Sequence, residues 1–122
     1  MLSDSQRAPS PEIELIVSKI EAENVRYNSN ERRSAHRTPL ARPVTVHCAQ
    51  TGEAISVFSQ NISGSGISLV SQKEFKEGQM AVLQIHSLEG THYNLLSVCR
   101  WCRSYGKGWF ISGWMFQAVA RR

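Results

Sequence analysis

Two short groups of residues carry the side chains best suited to chemistry. The first is basic: Arg32, Arg33 and Arg37, with Ser34-Ala35-His36 between the last two. A guanidinium forks two N–H donors onto phosphate oxygens or onto the O6 and N7 of a guanine, and it stacks on a purine face, as a lysine ammonium cannot. The second group is Asn61-Ile62-Ser63-Gly64-Ser65-Gly66. On an extended segment Asn61 and Ser63 point the same way, so an amide and a hydroxyl can read one polar edge together. Gly66 would permit the backbone bend that keeps them presented. Taken singly, neither group is distinctive: basic runs are common in solvated linkers, and Gly-Ser turns are common between strands.

Other chemistries fit these residues less well. Ser63-Gly64-Ser65-Gly66 lacks the Lys-Ser/Thr that completes a triphosphate-binding loop, and it leads into the strand-like Ile67-Ser68-Leu69-Val70 instead of a helix. Asn61-Ile62-Ser63 is formally a glycosylation acceptor, a use that requires an exported chain. Cys99 and Cys102 have the spacing of half a zinc site but no second pair. On a regular strand their odd separation sends the thiols to opposite faces, and His47, His86 and His92 add no supporting spacing, so no metal is expected. The only aspartate is Asp4, and Glu53, Glu74, Glu77 and Glu89 fall near expected turns. No acid–base pair or nucleophile triad assembles from these, which predicts a protein that is not an enzyme and uses no cofactor.

The elements that must position the two groups follow from periodicity. Ser10-Pro11-Glu12 reads as a helix start, with Ser10 as N-cap, Pro11 where no N–H is needed, and Glu12 and Glu14 near the positive end of the dipole. Ile13, Ile16, Ile20 and Leu15 supply an apolar stripe that must pack on the following domain or on another subunit, and the helix is expected to fray between Glu23 and Tyr27. From Pro39 onward the period changes to two. Val44, Val46 and Cys48 form one strand face, and Ala54 to Gln60 returns after Thr51-Gly52. Strands are then expected at Ile67–Val70, Gln79–Ser87, Tyr93 to about Arg103 and, after Gly106-Lys107-Gly108, Trp109–Phe116. From Gln117 the chain reads as a frayed end or a brief helix. Six short strands behind a leading helix indicate an all-β fold, a small antiparallel barrel. The segment 1–30 is leader and amphipathic helix, 31–118 the barrel domain and 119–122 a tail.

At 122 residues the chain suits one domain with one main site. A net charge of +4 fits an anionic partner without choosing among phosphate, nucleic acid and an acidic surface. Met1 to Ser10 lacks the apolar run of a secretory signal, and no stretch is long enough to cross a bilayer. Three cysteines in such a chain argue for reduced thiols, and a cytoplasmic location is the expectation.

Together the arginine group and Asn61-x-Ser63-x-x-Gly66 resemble the paired signature of the PilZ domain family, Arg-x-x-x-Arg followed by Asp/Asn-x-Ser-x-x-Gly. The resemblance runs from about Arg32 to Phe116, since Val98 to Arg103, a Gly turn and Gly113-Trp114-Met115-Phe116 are similar to that family's last two strands. It implies a six-stranded antiparallel PilZ-type β-barrel of bacterial origin that senses the second messenger cyclic di-GMP and relays it to an unidentified downstream protein. It implies ligand contacts at Arg32, Arg33, Arg37, Asn61, Ser63 and Gly66, and it brings Trp101 near the ligand, a residue whose other explanation is a barrel aromatic covered by the tail. Asn61 stands where many members have Asp, and an amide accepts more weakly than a carboxylate from guanine N1–H and N2–H, which predicts lower affinity. An Arg directly before the first motif Arg, here Arg32, goes with binding of an intercalated ligand pair, so two molecules per site are expected.

Two further functional classes fit the residues. One is a ligand-blind interaction module of the same fold. The other is a basic barrel binding single-stranded nucleic acid through Trp101, Trp109, Tyr93 and the arginines. Under any of these the N-terminal stripe is available for a partner or a homodimer.

Overall fold

The computed structural model describes residues 10–27, 38–39 and 41–120. Helix α1 (Pro11–Tyr27) precedes seven strands: β1 (Thr38–Pro39), β2 (Pro43–Cys48), β3 (Ala54–Ile62), β4 (Gly66–Ser71), β5 (Met80–His86), β6 (His92–Gly106) and β7 (Trp109–Val119). All pairings are antiparallel, in the order β3-β2-β5-β6-β7-β4, and β4 pairs back onto β3, which closes a six-stranded barrel with no free sheet edge among these strands. The two-residue β1 was not anticipated from periodicity. It lies on the same edge of β3 as β2, so both strands run along one neighbour. Across the gap between β1 and β2, Ser59 N–H donates to Arg42 O at 2.9 Å, and the Arg42 N–H donates to Ser59 Oγ at 2.9 Å.

Alternation builds the core as the period of two requires. Val44, Val46 and Cys48 of β2, Ile67 and Leu69 of β4, Ala81, Leu83 and Ile85 of β5, and Trp114 and Phe116 of β7 all turn inward and are buried. Phe75, from the β4–β5 connection, packs edge-on against Trp114 with ring centroids 5.2 Å apart. Strand β7 continues to Val119, where Leu95 pairs with Val119 and Leu96 with Ala118, so residues 117–119 are strand and neither frayed nor helical.

Helix α1 begins as its sequence demands: the Ile13 N–H donates to Ser10 Oγ at 3.2 Å, and the Glu14 N–H donates to Ser10 O at 3.0 Å. Its buried stripe is Ile13, Val17 and Ile20, all part of the barrel core, with Ile16 partly covered and Leu15 57% exposed. Leu15 is therefore off the stripe and Val17 on it, because residues four and seven positions after Ile13 share its face. The stripe that was open to another subunit is thus covered by the chain's own barrel. Nor does the helix fray at Glu23. That carboxylate is buried, accepts the Arg42 guanidinium at 3.1 Å, and accepts Ser87 Oγ–H at 2.6 Å and the Leu88 N–H at 3.2 Å, which fastens the last turns to the β5–β6 connection. Arg42 also donates to the carbonyls of Ile20 and His86, each at 3.4 Å.

Candidate functional site

The site assembles from the register of the strands. Thr38 pairs with Ile62 and Pro39 with Asn61, so the chain leaves the arginine segment alongside the second motif. Arg32, Arg33 and Arg37 themselves lie outside the described residues.

From β1 a row of paired residues crosses the sheet: Pro39, Asn61, Ser68, Gly113 and Trp101. With strands about 4.8 Å apart, Asn61 and Trp101 are separated by about 14 Å of sheet surface, a span suited to a ligand of nucleotide dimensions. Ile67 and Leu69 point into the core, so Ser68 between them faces out. It is nevertheless only 4% exposed.

Bulges at both ends of this row decide what it presents. On β3 the register shifts between Ser59 and Asn61, so Gln60 is an extra residue and both Gln60 and Asn61 reach Ser68. Ser68 Oγ lies 3.0 Å from Asn61 Oδ1 and 3.2 Å from Gln60 Oε1. On β6 the register shifts between Cys99 and Trp101, leaving Arg100 as the extra residue. The expected parity is thereby reversed: Cys99 is buried and Cys102 packs against the same core, so the two thiols do not point to opposite faces. Burial and the nearby Cys102 push the Cys99 thiol up to about 11. Among the described residues no group of three or more metal-ligating side chains forms.

Trp101 sits outside the barrel against Gly113, where a Cβ would collide with the indole. Its ring takes the Arg103 guanidinium 4.7 Å from its centroid, and the indole is 37% exposed. Beside it opens a cleft of about 340 Å³ lined by Gln60, Trp101, Arg103, Ser104, Tyr105 and Ile111. The stacked guanidinium and the open indole make this end of the row receptive to a flat, electron-rich ring.

At the other end the Asn61–Gly66 turn departs from the extended geometry expected of it. Strand β3 ends at Ile62, and the Ser63 N–H donates to Gly66 O at 2.9 Å. The Ser63 hydroxyl folds back on the turn, donating to Gly66 O at 3.5 Å and accepting the Ser65 N–H at 3.4 Å. Gly66 is required for a different reason from the bend first assigned to it. Its φ is not in the left-handed region, but a Cβ there would fall on the carbonyl oxygen of Trp114 across the β4–β7 ladder. The structure thus brings Asn61, Ser63, Gly66 and Trp101 onto one side of the barrel and adds Gln60, Ser68, Arg103 and Gly113. Of these additions, Gly113 was visible beforehand only as part of a strand motif, and no local signal distinguished Ser68.

The sequence model of the PilZ domain matches residues 31–120. The chain belongs to the PilZ domain family. PilZ domains are binding and adaptor modules of the cyclic di-GMP type, not enzymes. Among solved structures, the PilZ barrel is similar to the Bacillus subtilis inhibitor of motility (MotI/DgrA), with a TM-score of 0.57 and 23% identity. The match covers 74% of this chain and 44% of that one, so the chain spans under half of that protein's length, and the likeness is one of fold. No curated protein matches the chain. Among the described residues no helix is long and apolar enough to cross a membrane.

Proposed function

We propose that this PilZ barrel binds cyclic di-GMP and relays the signal to a downstream protein, with no catalytic step of its own. The observation that carries this reading is the β1–β3 register: the arginine motif ends one residue before Thr38, whose partner Ile62 sits beside Asn61. On this reading charge and edge recognition meet on one side of the barrel. Arg32, Arg33 and Arg37 supply forked donors for the phosphates and guanines, while Asn61 and the Ser63–Gly66 turn face one base and Trp101 offers an indole to stack. Arg32 provides the added cation for a second, intercalated ligand, giving two molecules per chain at saturation. The mooring of α1 supports the relay. On this reading the signal reaches α1, which is clamped through Glu23 to Arg42 just beyond β1. The nucleic-acid reading loses one of its stacking platforms, because Tyr93 packs against the core cluster.

Isothermal titration with cyclic di-GMP at near-physiological salt tests this, with Arg33→Ala/Arg37→Ala and linear GMP as controls. Charge-assisted bonds are worth about 1.5–3 kcal/mol each, so the double variant should lose about a hundredfold in affinity or more. Saturable binding at two ligands per chain that the variant lacks is the expected result. Absence of wild-type binding leaves a ligand-blind PilZ adaptor, and a stoichiometry near one removes the intercalated pair.

A further inference from the structure

Beside the row that ends at Trp101, the outer wall of the barrel carries an apolar strip that neither the core nor the site uses. Phe58 of β3 pairs with Val70 of β4, which pairs with Ile111 of β7. Paired residues share a face, so the three form one line across the sheet about 10 Å long. The line faces out: Leu69 and Ser112, the chain neighbours of Val70 and Ile111, are buried, while Phe58 is 58% exposed. Toward the last hairpin turn, Trp109 follows on the face of Ile111 and is 39% exposed. Tyr105, the extra residue of a bulge on β6, is 64% exposed and lines one cleft with Ile111 and Arg103. Strand β6 runs past β5, whose last pair is Met80 with Val98, and β7 runs past β4, whose last pair is Ser71 with Phe110. The hairpin end therefore projects beyond its neighbours.

The charge of this hairpin has one sign. No Asp or Glu follows Glu89 in the sequence. Arg103 pairs with Ile111, and Lys107 stands exposed at the turn between Gly106 and Gly108. An exposed apolar patch of this kind marks a contact surface. Aromatic rings with cations at a projecting turn match the boundary of an anionic bilayer, where the ring bodies meet the acyl chains and the cations meet the lipid phosphates. Single-stranded nucleic acid calls for stacked rings with phosphate contacts along them, whereas here Phe58, Val70 and Ile111 extend the patch without a cation among them. A protein of ordinary surface would bring both charge signs to a hairpin that answers only one.

We infer that the Phe58–Val70–Ile111 strip and the hairpin end with Tyr105, Lys107 and Trp109 form a docking surface for an anionic lipid bilayer. The barrel rests on the bilayer through side chains alone, so this needs no membrane-spanning segment, and it stands independently of the cyclic di-GMP reading.

Sedimentation of the full chain with vesicles tests it, using phosphatidylcholine alone and phosphatidylcholine with an equal part of phosphatidylglycerol. The chain should pellet with the anionic vesicles, stay in solution with the neutral ones, and be released as salt rises. Lys107→Gln should weaken binding about fivefold, the scale of one cation at an anionic surface. Trp109→Ala and Phe58→Ser should each weaken it about tenfold while melting as the wild type does, because both side chains are exposed. Lys19→Gln removes an exposed cation from α1 and should change nothing. Equal losses for Lys19→Gln and Lys107→Gln would reduce the effect to diffuse attraction of a +4 chain and overturn the inference. So would equal retention by both vesicles, or by neither. Sedimentation velocity without lipid covers the remaining occupant: a concentration-dependent dimer that Trp109→Ala abolishes would assign the face to a second copy and overturn the inference as well.

Discussion

Replacing Glu23 by alanine tests the mooring of α1 most directly. The carboxylate is 3% exposed and makes three contacts among the described residues: the Arg42 guanidinium at 3.1 Å, Ser87 Oγ–H at 2.6 Å and the Leu88 N–H at 3.2 Å. Its removal strands a guanidinium that is itself 1% exposed, with only the Ile20 and His86 carbonyls, both at 3.4 Å, left to receive it among the described residues. Burial already pushes the Arg42 guanidinium down from its ordinary value against the opposing pull of Glu23. Breaking such a pair from one side costs about 3–5 kcal/mol, a large part of the stability of a domain this size. The melting temperature should fall by about 10 °C or more. Glu23→Leu combined with Arg42→Met removes both charges and should return to within about 1 kcal/mol of the wild type, because well-packed apolar replacements of buried pairs are often neutral or better. Urea unfolding followed by tryptophan fluorescence, run on Glu23→Ala and on Glu23→Leu, Arg42→Met and their double, closes the cycle. A Glu23→Ala cost below about 1 kcal/mol, or strictly additive single effects, would refute the argument that this pair holds the helix.

Three further outcomes follow from the same geometry. Gly66→Ala places a Cβ on the Trp114 backbone carbonyl, which cannot yield, whereas at Gly113 the obstacle is the side chain of Trp101, which can swing out. Gly66→Ala should therefore cost about 1–3 kcal/mol in urea unfolding, and Gly113→Ala should cost less while shifting tryptophan emission; the reverse order of stability would contradict the packing. His86 is held below its ordinary value, first by burial and second by the imidazole of His92, whose ring centroid is 4.5 Å away. The unfolded chain therefore binds a proton at His86 more readily than the folded one. Stability should be complete above about pH 6.5, fall as pH drops from there toward the lowered folded value, and fall less in His86→Gln; melting temperatures across that window check it. The Cys99 thiol, raised to about 11 and buried, is protonated at neutral pH and should resist iodoacetamide in the native protein, while mass spectrometry after denaturation should show it alkylated; native labelling at Cys99 would contradict its burial.

The inward faces of β2, β4 and β5 were legible because period-two alternation is a local property of each segment, and the barrel followed from six such segments with turn residues between them. The start of α1 was legible for the same reason, since a cap acts within three residues of itself. The two motifs were visible as residue types at fixed spacing, and the family match over residues 31–120 agrees with the resemblance they carry. The bulges at Gln60 and Arg100 were not visible, and they decide the site: one extra residue reverses the parity of everything after it, which is why Cys99 and Cys102 share the core and Trp101 faces out. The Glu23–Arg42 pair reads in sequence as two ordinary surface charges, and only the docking of α1 beside the β5–β6 connection buries them together.

What the sequence alone determined is which side chains are available and which face of each element is apolar, because those depend on neighbours along the chain. What the tertiary structure decided is who stands beside whom across the ladder: Asn61 against Ser68, Gly66 against the Trp114 carbonyl, Gly113 beneath Trp101. Those contacts join strands remote in sequence through a register fixed by hydrogen bonding around the whole closed barrel, so no single segment contains the information that sets them.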